Sequence, residues 1–219
     1  MITLHSARVA ATLERLYREA ERRDRDVLPL ARAQFEKSGT PYDDRAVAGL
    51  LDLAFIGVAP EVGRLLYQLV RLRRPKLVVE FGTSFGLSAI HIAAALADNG
   101  QGRLIATELN PEKAARAAEH LREAGLDEWV ELRRGDAFET LIGVEEIDVL
   151  LLDGWKALYL PLLRGLEPAI SAGALVVADD LKIMPEMLEP YVAYVRDPAN
   201  GYSSSEIPLD DGLELSIRG

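Results

Sequence analysis

The chain has 219 residues, 49% hydrophobic and 27% charged, which is enough apolar mass for a full core and excludes intrinsic disorder. Acidic side chains outnumber basic ones 35 to 25, and a surface of formal charge -10 disfavours DNA, RNA or an anionic membrane face as a main partner. The absence of cysteine excludes disulfides, thiolate metal sites and cysteine nucleophiles. Charges recur every few residues from Met1 to Ala20, unlike a signal peptide, and the longest apolar runs fall far short of the roughly 20 residues of a membrane span. A cytoplasmic location is expected.

The first 75 residues read as helices. Val9, Leu13, Leu16, Tyr17 and Ala20 recur at helical spacing, and Val62, Leu65, Leu66, Leu69 and Val70 form an i, i+3, i+4, i+7, i+8 stripe. Between them, residues 39–44 are a break with an N-cap signal, and Pro60-Glu61 opens the striped helix. After Pro75, runs rich in β-branched residues and leucine, at 76–81, 103–107, 129–133, 147–152 and 174–178, alternate with helical patterns. Five apolar strands separated by crossover helices predict a parallel sheet covered on both faces. Strand-like runs at 203–209 and 213–217 flank Asp210-Asp211-Gly212, a hairpin signal, so an antiparallel pair should finish the sheet. The expectation is one α/β domain over 1–219, with 1–75 as a helical cap and 76–219 as the core.

The first strand runs into Glu80-Phe81-Gly82-Thr83-Ser84-Phe85-Gly86-Leu87-Ser88, with a helix from about Leu87. A strand, a glycine-rich turn and a helix place backbone N–H groups under a nucleotide-like ligand. Glu108, at the end of the second strand, can accept hydrogen bonds from both hydroxyls of a ribose. Enzymes that bind NAD carry G-x-G-x-x-G. Here the glycines are four apart and preceded by Glu80, a carboxylate unsuited to a pyrophosphate but suited to a cation. The pattern favours S-adenosylmethionine, which has a sulfonium, an ammonium and no phosphate. Asp136, just past the third strand, can accept from an adenine amino group, cap the helix at 138–142, or do both.

The fourth strand ends in Asp153-Gly154-Trp155-Lys156 and the fifth in Asp179-Asp180, and the interval between them fits one strand–helix–strand unit. Neighbouring strands would set these acids side by side at the carboxyl edge of the sheet. Two carboxylates about 4 Å apart repel by roughly 4 kcal/mol at an effective dielectric near 20, so a cation or a shared proton must compensate them. Three hard oxygen ligands without His or Cys point to Mg²⁺; the alternative is one acid capping a helix and the others in solvent. An ammonium beside a divalent cation is disfavoured, which makes Lys156 a candidate proton acceptor; the alternative is a salt bridge to the acid cluster. Trp155 would line the pocket, whereas Trp129, on the third strand, belongs to the core. His5, His91 and His120 form no catalytic arrangement with Ser and Asp.

Together these residues resemble the catechol O-methyltransferase family of class I, S-adenosylmethionine-dependent O-methyltransferases, over about three quarters of the chain, from Ile56 onward. The cofactor loop matches at 80–88 and the ribose acid at Glu108-Leu109-Asn110-Pro111. The most specific stretch is Leu152-Asp153-Gly154-Trp155-Lys156 with Tyr159-Leu160-Pro161. Asp211-Gly212-Leu213-Glu214 is similar to the terminal hairpin, and Ile56-Gly57-Val58 to the stretch that closes over the methyl donor. The resemblance implies a Rossmann-like, seven-stranded, mostly parallel sheet with an antiparallel C-terminal hairpin and an N-terminal helical cap. It implies cofactor contacts from Val58, Glu80, Gly82, Ser84, Gly86, Ser88, Glu108, Leu109, Asp136, Ala137, Asp153 and Trp155. Metal ligation falls to Asp153, Asp179 and Asp180, catalysis to Lys156, and substrate contacts to Ile56, Trp155, Lys156 and Asp180.

Three positions depart from the family pattern. Asp180 stands where Asn is usual, Gly154 leaves room on the adenine side, and Glu206 is one position from a gapless match to the family's catechol-gripping acid. The expected reaction is Mg²⁺-assisted methylation of a hydroxyl on a vicinal diphenol. The expected partner is a small phenolic molecule, with no nucleic acid and no membrane, and a homodimer is the assembly considered. A metal-independent small-molecule methyltransferase and a non-catalytic S-adenosylmethionine-binding module are the alternatives.

Overall fold

Strands that are apolar on both sides can be buried only between two helical layers, and the chain builds that arrangement. The computed structural model describes residues 2–38, 51–52 and 54–219; the break read at 39–44 lies outside them. Strands β1 (Leu77–Phe81), β2 (Arg103–Glu108), β3 (Val130–Arg134), β4 (Ile147–Leu152), β5 (Ile170–Ala178), β6 (Tyr202–Ile207) and β7 (Leu213–Arg218) form one sheet in the order β3-β2-β1-β4-β5-β7-β6. Strands β1 to β5 pair in parallel, and β7 runs antiparallel to both β5 and β6. All five residues of β1 are buried.

Alternation along each strand divides the core in two. Val78, Leu104, Val149 and Val177 face helices α1 (Ala7–Ser38), α2 (Pro60–Arg73), α3 (Leu87–Asn99) and α4 (Pro111–Ala124). Val79, Ile105, Leu150 and Val176 face the short helix α5 (Ala137–Thr140) and helices α6 (Tyr159–Leu166) and α7 (Pro185–Arg196). The stripes behave as expected: Val9, Leu13 and Leu16 of α1 and Val62, Leu66 and Val70 of α2 are buried in the core on this side of the sheet. Pro60 is at the first turn of α2, where its missing N–H costs nothing.

Boundaries shift in three places. Strand β5 begins at Ile170, four residues before the run at 174–178, and its register against β4 breaks between Ile147 and Val149. Strand β6 ends at Ile207, because the chain turns through Leu209 to Gly212, with Asp210 and Gly212 both at positive φ. Trp129 closes a single 3-10 turn ahead of β3 and is half-buried against the core.

Two features place the site. The chain leaves β1 for β2 on one side and returns to β4 on the other, which opens a crevice at the carboxyl ends of the strands. Pairing also continues one residue past the strands. The Asp153 N–H donates to Phe81 O (2.9 Å), and the Asp179 N–H donates to Leu152 O (3.0 Å). The side chains that follow β1, β4 and β5 are thereby set in a row. No helix among the described residues is long and apolar enough to cross a membrane.

Candidate active site

A cavity of about 340 Å³ opens over the carboxyl ends of β1 to β5. One wall comes from the glycine-rich turn and the ends of β2 and β3. Gly82 has φ +94, and a Cβ there would stand 2.4 Å from the Asp153 carbonyl oxygen, so only glycine allows the two strand ends to approach this closely. Glu108 is held at both oxygens. Oε2 accepts the Ser84 N–H (2.7 Å) and Oε1 accepts the Asn110 N–H (2.8 Å), which aims the carboxylate at the cavity. Asn110 also caps α4, its Oδ1 accepting the N–H groups of Glu112 and Lys113. Asp136 lines the cavity and caps α5, accepting the Phe138 N–H at 2.9 Å, so both of its expected roles are compatible.

The opposite wall carries the acids and the lysine. The Lys156 Nζ lies 2.7 Å from Asp180 Oδ2 and 3.9 Å from Asp153 Oδ1, and it donates to the Tyr159 hydroxyl at 2.8 Å. Asp179 is 3% exposed and its Oδ1 accepts the Asp180 N–H at 2.8 Å. Burial raises the pKa of Asp179 to about 7, and Asp180 adds to the rise. Burial and then Asp179 push the carboxyl of Asp153 well up, against the pull of Lys156. Three carboxylates therefore face one ammonium, and the protonation of Asp153 and Asp179 is displaced in the direction that unneutralised crowding dictates.

This donor set fits a hard divalent cation by charge and by chemistry. The side chains are not already gathered around a centre: among the described residues no three His, Asp or Glu groups stand in a metal-holding arrangement. Asp180, at φ 67, has its carboxylate turned onto Lys156.

Of the expected site residues, Ile56, Gly82, Ser84, Glu108, Leu109, Asp136, Ala137, Asp153, Trp155, Lys156 and Asp180 line the cavity. Val58, Glu80, Ser88 and Asp179 are buried and, with Gly86, lie behind this wall. Glu80 is fully buried. Its Oε2 accepts the Thr83 hydroxyl at 2.8 Å, its Oε1 has no hydrogen-bond partner among the described residues, and burial raises its pKa to about 7. Glu206 pairs with Arg196 and is not on the wall. The room expected beside Gly154 is filled, since a Cβ there would meet the Phe81 ring at 2.5 Å.

Lys113, Ile183 and Met187 on the wall carried no sequence signal. Lys113, on the first turn of α4, is 7% exposed and lies 5.5 Å from the Phe85 ring. Burial lowers its pKa, while Glu108, Asp52 and Asp24 pull it upward. Ile183, Met184 and Met187 form an apolar side next to Asp180 and Lys156. His120, which showed no catalytic pattern, holds the glycine-rich turn: its Nδ1 lies 2.9 Å from Phe85 O, and only a protonated Nδ1 can make that bond.

A family model described as a methyltransferase domain matches residues 79–181, the stretch that contributes most of both walls. Among curated proteins, the chain is 34% identical over 169 residues to a catechol O-methyltransferase of Niastella koreensis, covering 70% of this chain and 76% of that one. It is 31% identical over 175 residues to catechol O-methyltransferase B of Danio rerio, covering 74% of this chain and 65% of that protein's length. Among solved structures, an O-methyltransferase from Bacillus cereus in complex with SAH superposes with a TM-score of 0.68 at 20% identity, over 85% of this chain and 96% of that one.

Proposed function

The chain belongs to the catechol O-methyltransferase family of S-adenosylmethionine-dependent O-methyltransferases, and on that premise we propose that it methylates one hydroxyl of a vicinal diphenol, with Mg²⁺ assisting. One juxtaposition carries the reading: a carboxylate aimed as a ribose acceptor, Glu108, shares a single cavity with Asp153, Lys156 and Asp180. S-adenosylmethionine supplies the methyl group on its sulfonium. Mg²⁺, held by Asp153, Asp179 and Asp180, would supply a positive centre that favours the ionised form of the phenol.

The chain's own residues do the rest. Glu108 accepts from the ribose hydroxyls and Asp136 from the adenine amino group, while Trp155 and Ala137 close the sides. Ile183, Met184 and Met187 exclude water from the acceptor end and give the aromatic ring an apolar surface. Lys156, in its neutral amine form, takes the proton from the attacking hydroxyl and becomes the ammonium that Asp180 holds, and the oxygen then approaches the methyl in line with sulfur. Alignment accounts for much of the rate, since a near-attack geometry replaces a bimolecular encounter. A small phenolic substrate, absence of nucleic-acid or membrane partners, and a cytoplasmic location belong to the same proposal.

A metal-independent reaction is the second reading, and the ion pair between Lys156 and Asp180 is what favours it. The test is product formation from a panel of catechols, caffeate-like acids and flavonoids with S-adenosylmethionine, with Mg²⁺ and after exhaustive chelation. Turnover that needs Mg²⁺ supports the first reading, and full turnover after chelation supports the second. No methylation of any diphenol would reject the diphenol assignment.

A further inference from the structure

Residues 54–58 form a strap beside the glycine-rich turn, with Ile56 on the cavity wall and Ala54, Phe55 and Val58 buried. Ile56 adopts φ 44, a left-handed conformation that β-branched residues avoid, so something outside the strap must hold it there. That holder is Asp24, in the middle of α1. Its Oδ1 accepts the Phe55 N–H at 2.6 Å and its Oδ2 accepts the Ile56 N–H at 3.2 Å. Asp24 does not itself line the cavity.

The strap is also tied to the residues that orient Glu108. The Ser84 hydroxyl donates to the Phe55 carbonyl, and the Ser84 N–H donates to Glu108 Oε2. The Asn110 side-chain amide donates to Asp52 Oδ1 (2.6 Å), and the Asn110 N–H donates to Glu108 Oε1. Phe55 stacks on Phe85 of the turn, with ring centroids 4.2 Å apart, and the Arg23 guanidinium lies 5.7 Å and 5.8 Å from the two rings. Both oxygens of Glu108 are therefore oriented by residues that also hold Asp52 and Phe55.

We propose that Asp24 is a positioning residue: by fixing the backbone of Phe55 and Ile56 it keeps the strap closed over the methyl-donor pocket and sets how long the cofactor stays bound. The inference rests on the reading of this cavity as the S-adenosylmethionine site. A latch of this kind acts on escape of a bound ligand. It does not act on the chemical step, because Asp24 touches neither the acid cluster nor Lys156.

The experiment measures release of radiolabelled S-adenosylmethionine from the full chain after dilution into excess unlabelled cofactor, for wild type, Asp24→Asn, Asp24→Ala and the control Glu21→Ala on the exposed side of α1. Hydrogen bonds to a charged acceptor are strong enough for loss of both to speed release by ~10–100-fold. Asp24→Asn, which keeps one acceptor oxygen, falls between, and Glu21→Ala matches wild type. In steady state the KM for the cofactor rises while kcat at saturating cofactor stays within about twofold, as expected for lost ground-state binding. Equal release rates in wild type and both Asp24 variants, or a loss confined to kcat, overturn the assignment. So does a lowered melting temperature without faster release, which marks a structural role only. A wild-type chain that retains no cofactor overturns the underlying reading as well.

Discussion

Replacing Glu80 by glutamine isolates the cost of a buried carboxylate beneath the glycine-rich turn. Glu80 is 0% exposed, and burial raises its pKa from 4.5 to about 7, opposed by the hydroxyls of Ser88 and Thr83. A folded-state pKa above the unfolded value means that the fold favours the neutral acid. The stability it contributes is full below about pH 4.5 and is lost as pH rises through about 7. At ~1.4 kcal/mol per pKa unit, the displacement from 4.5 to about 7 is worth about 3 kcal/mol. Glutamine keeps the shape, and its carbonyl can keep the Thr83 hydroxyl, but it has no charge to bury. Urea unfolding of both proteins at pH 5 and pH 8, without cofactor or divalent cation, should show the variant gaining on wild type by about 2.5 kcal/mol across that interval, the remainder being already lost below pH 5. Asp153 and Asp179 titrate in both proteins and largely cancel in the comparison. Parallel stability–pH curves would refute the reasoning and place the charge of Glu80 in a compensated environment.

Three further outcomes are expected. Glu108→Ala should weaken S-adenosylmethionine binding by ~10–100-fold, since it removes a charged acceptor, while leaving Mg²⁺ affinity nearly unchanged by calorimetry. Lys156→Ala should lower turnover of a diphenol by ~10²–10⁴-fold with cofactor affinity retained; a lower melting temperature with normal turnover would reduce the lysine to a salt-bridge partner of Asp180. Gly154→Ala, whose Cβ would press on the Phe81 ring at 2.5 Å, should cost ~1–3 kcal/mol in melting experiments, and Phe81→Leu in the same chain should recover part of it.

The apolar runs at 147–152 and 174–178 and the interval from Asp153 to Asp179 were sufficient to predict adjacent parallel strands. Adjacency in turn put the acids in a row, because side chains past the ends of paired strands share one edge. The hairpin around Asp211-Gly212 was legible for a similar reason, since its turn chemistry is local. Element ends were less legible. The early start of β5 and the 3-10 turn at Trp129 depend on what each residue meets across the sheet.

What the sequence by itself determined is therefore the parallel strands and their terminal hairpin and the carboxylates and lysine carried on strand ends, where local pattern and chain order decide position. The tertiary structure decided the rest of the wall. Lys113 enters it through burial of the first turn of α4, and the apolar side of Met184 and Met187 through the docking of α7. Phe81 occupies the space beside Gly154, and Asp24 reaches the Phe55–Ile56 backbone from a helix some thirty positions earlier in the chain, a separation of 31 and 32 residues. Such contacts leave no periodicity in the sequence: a packing fit and a hydrogen bond to a distant N–H come into being only when the folded layers meet.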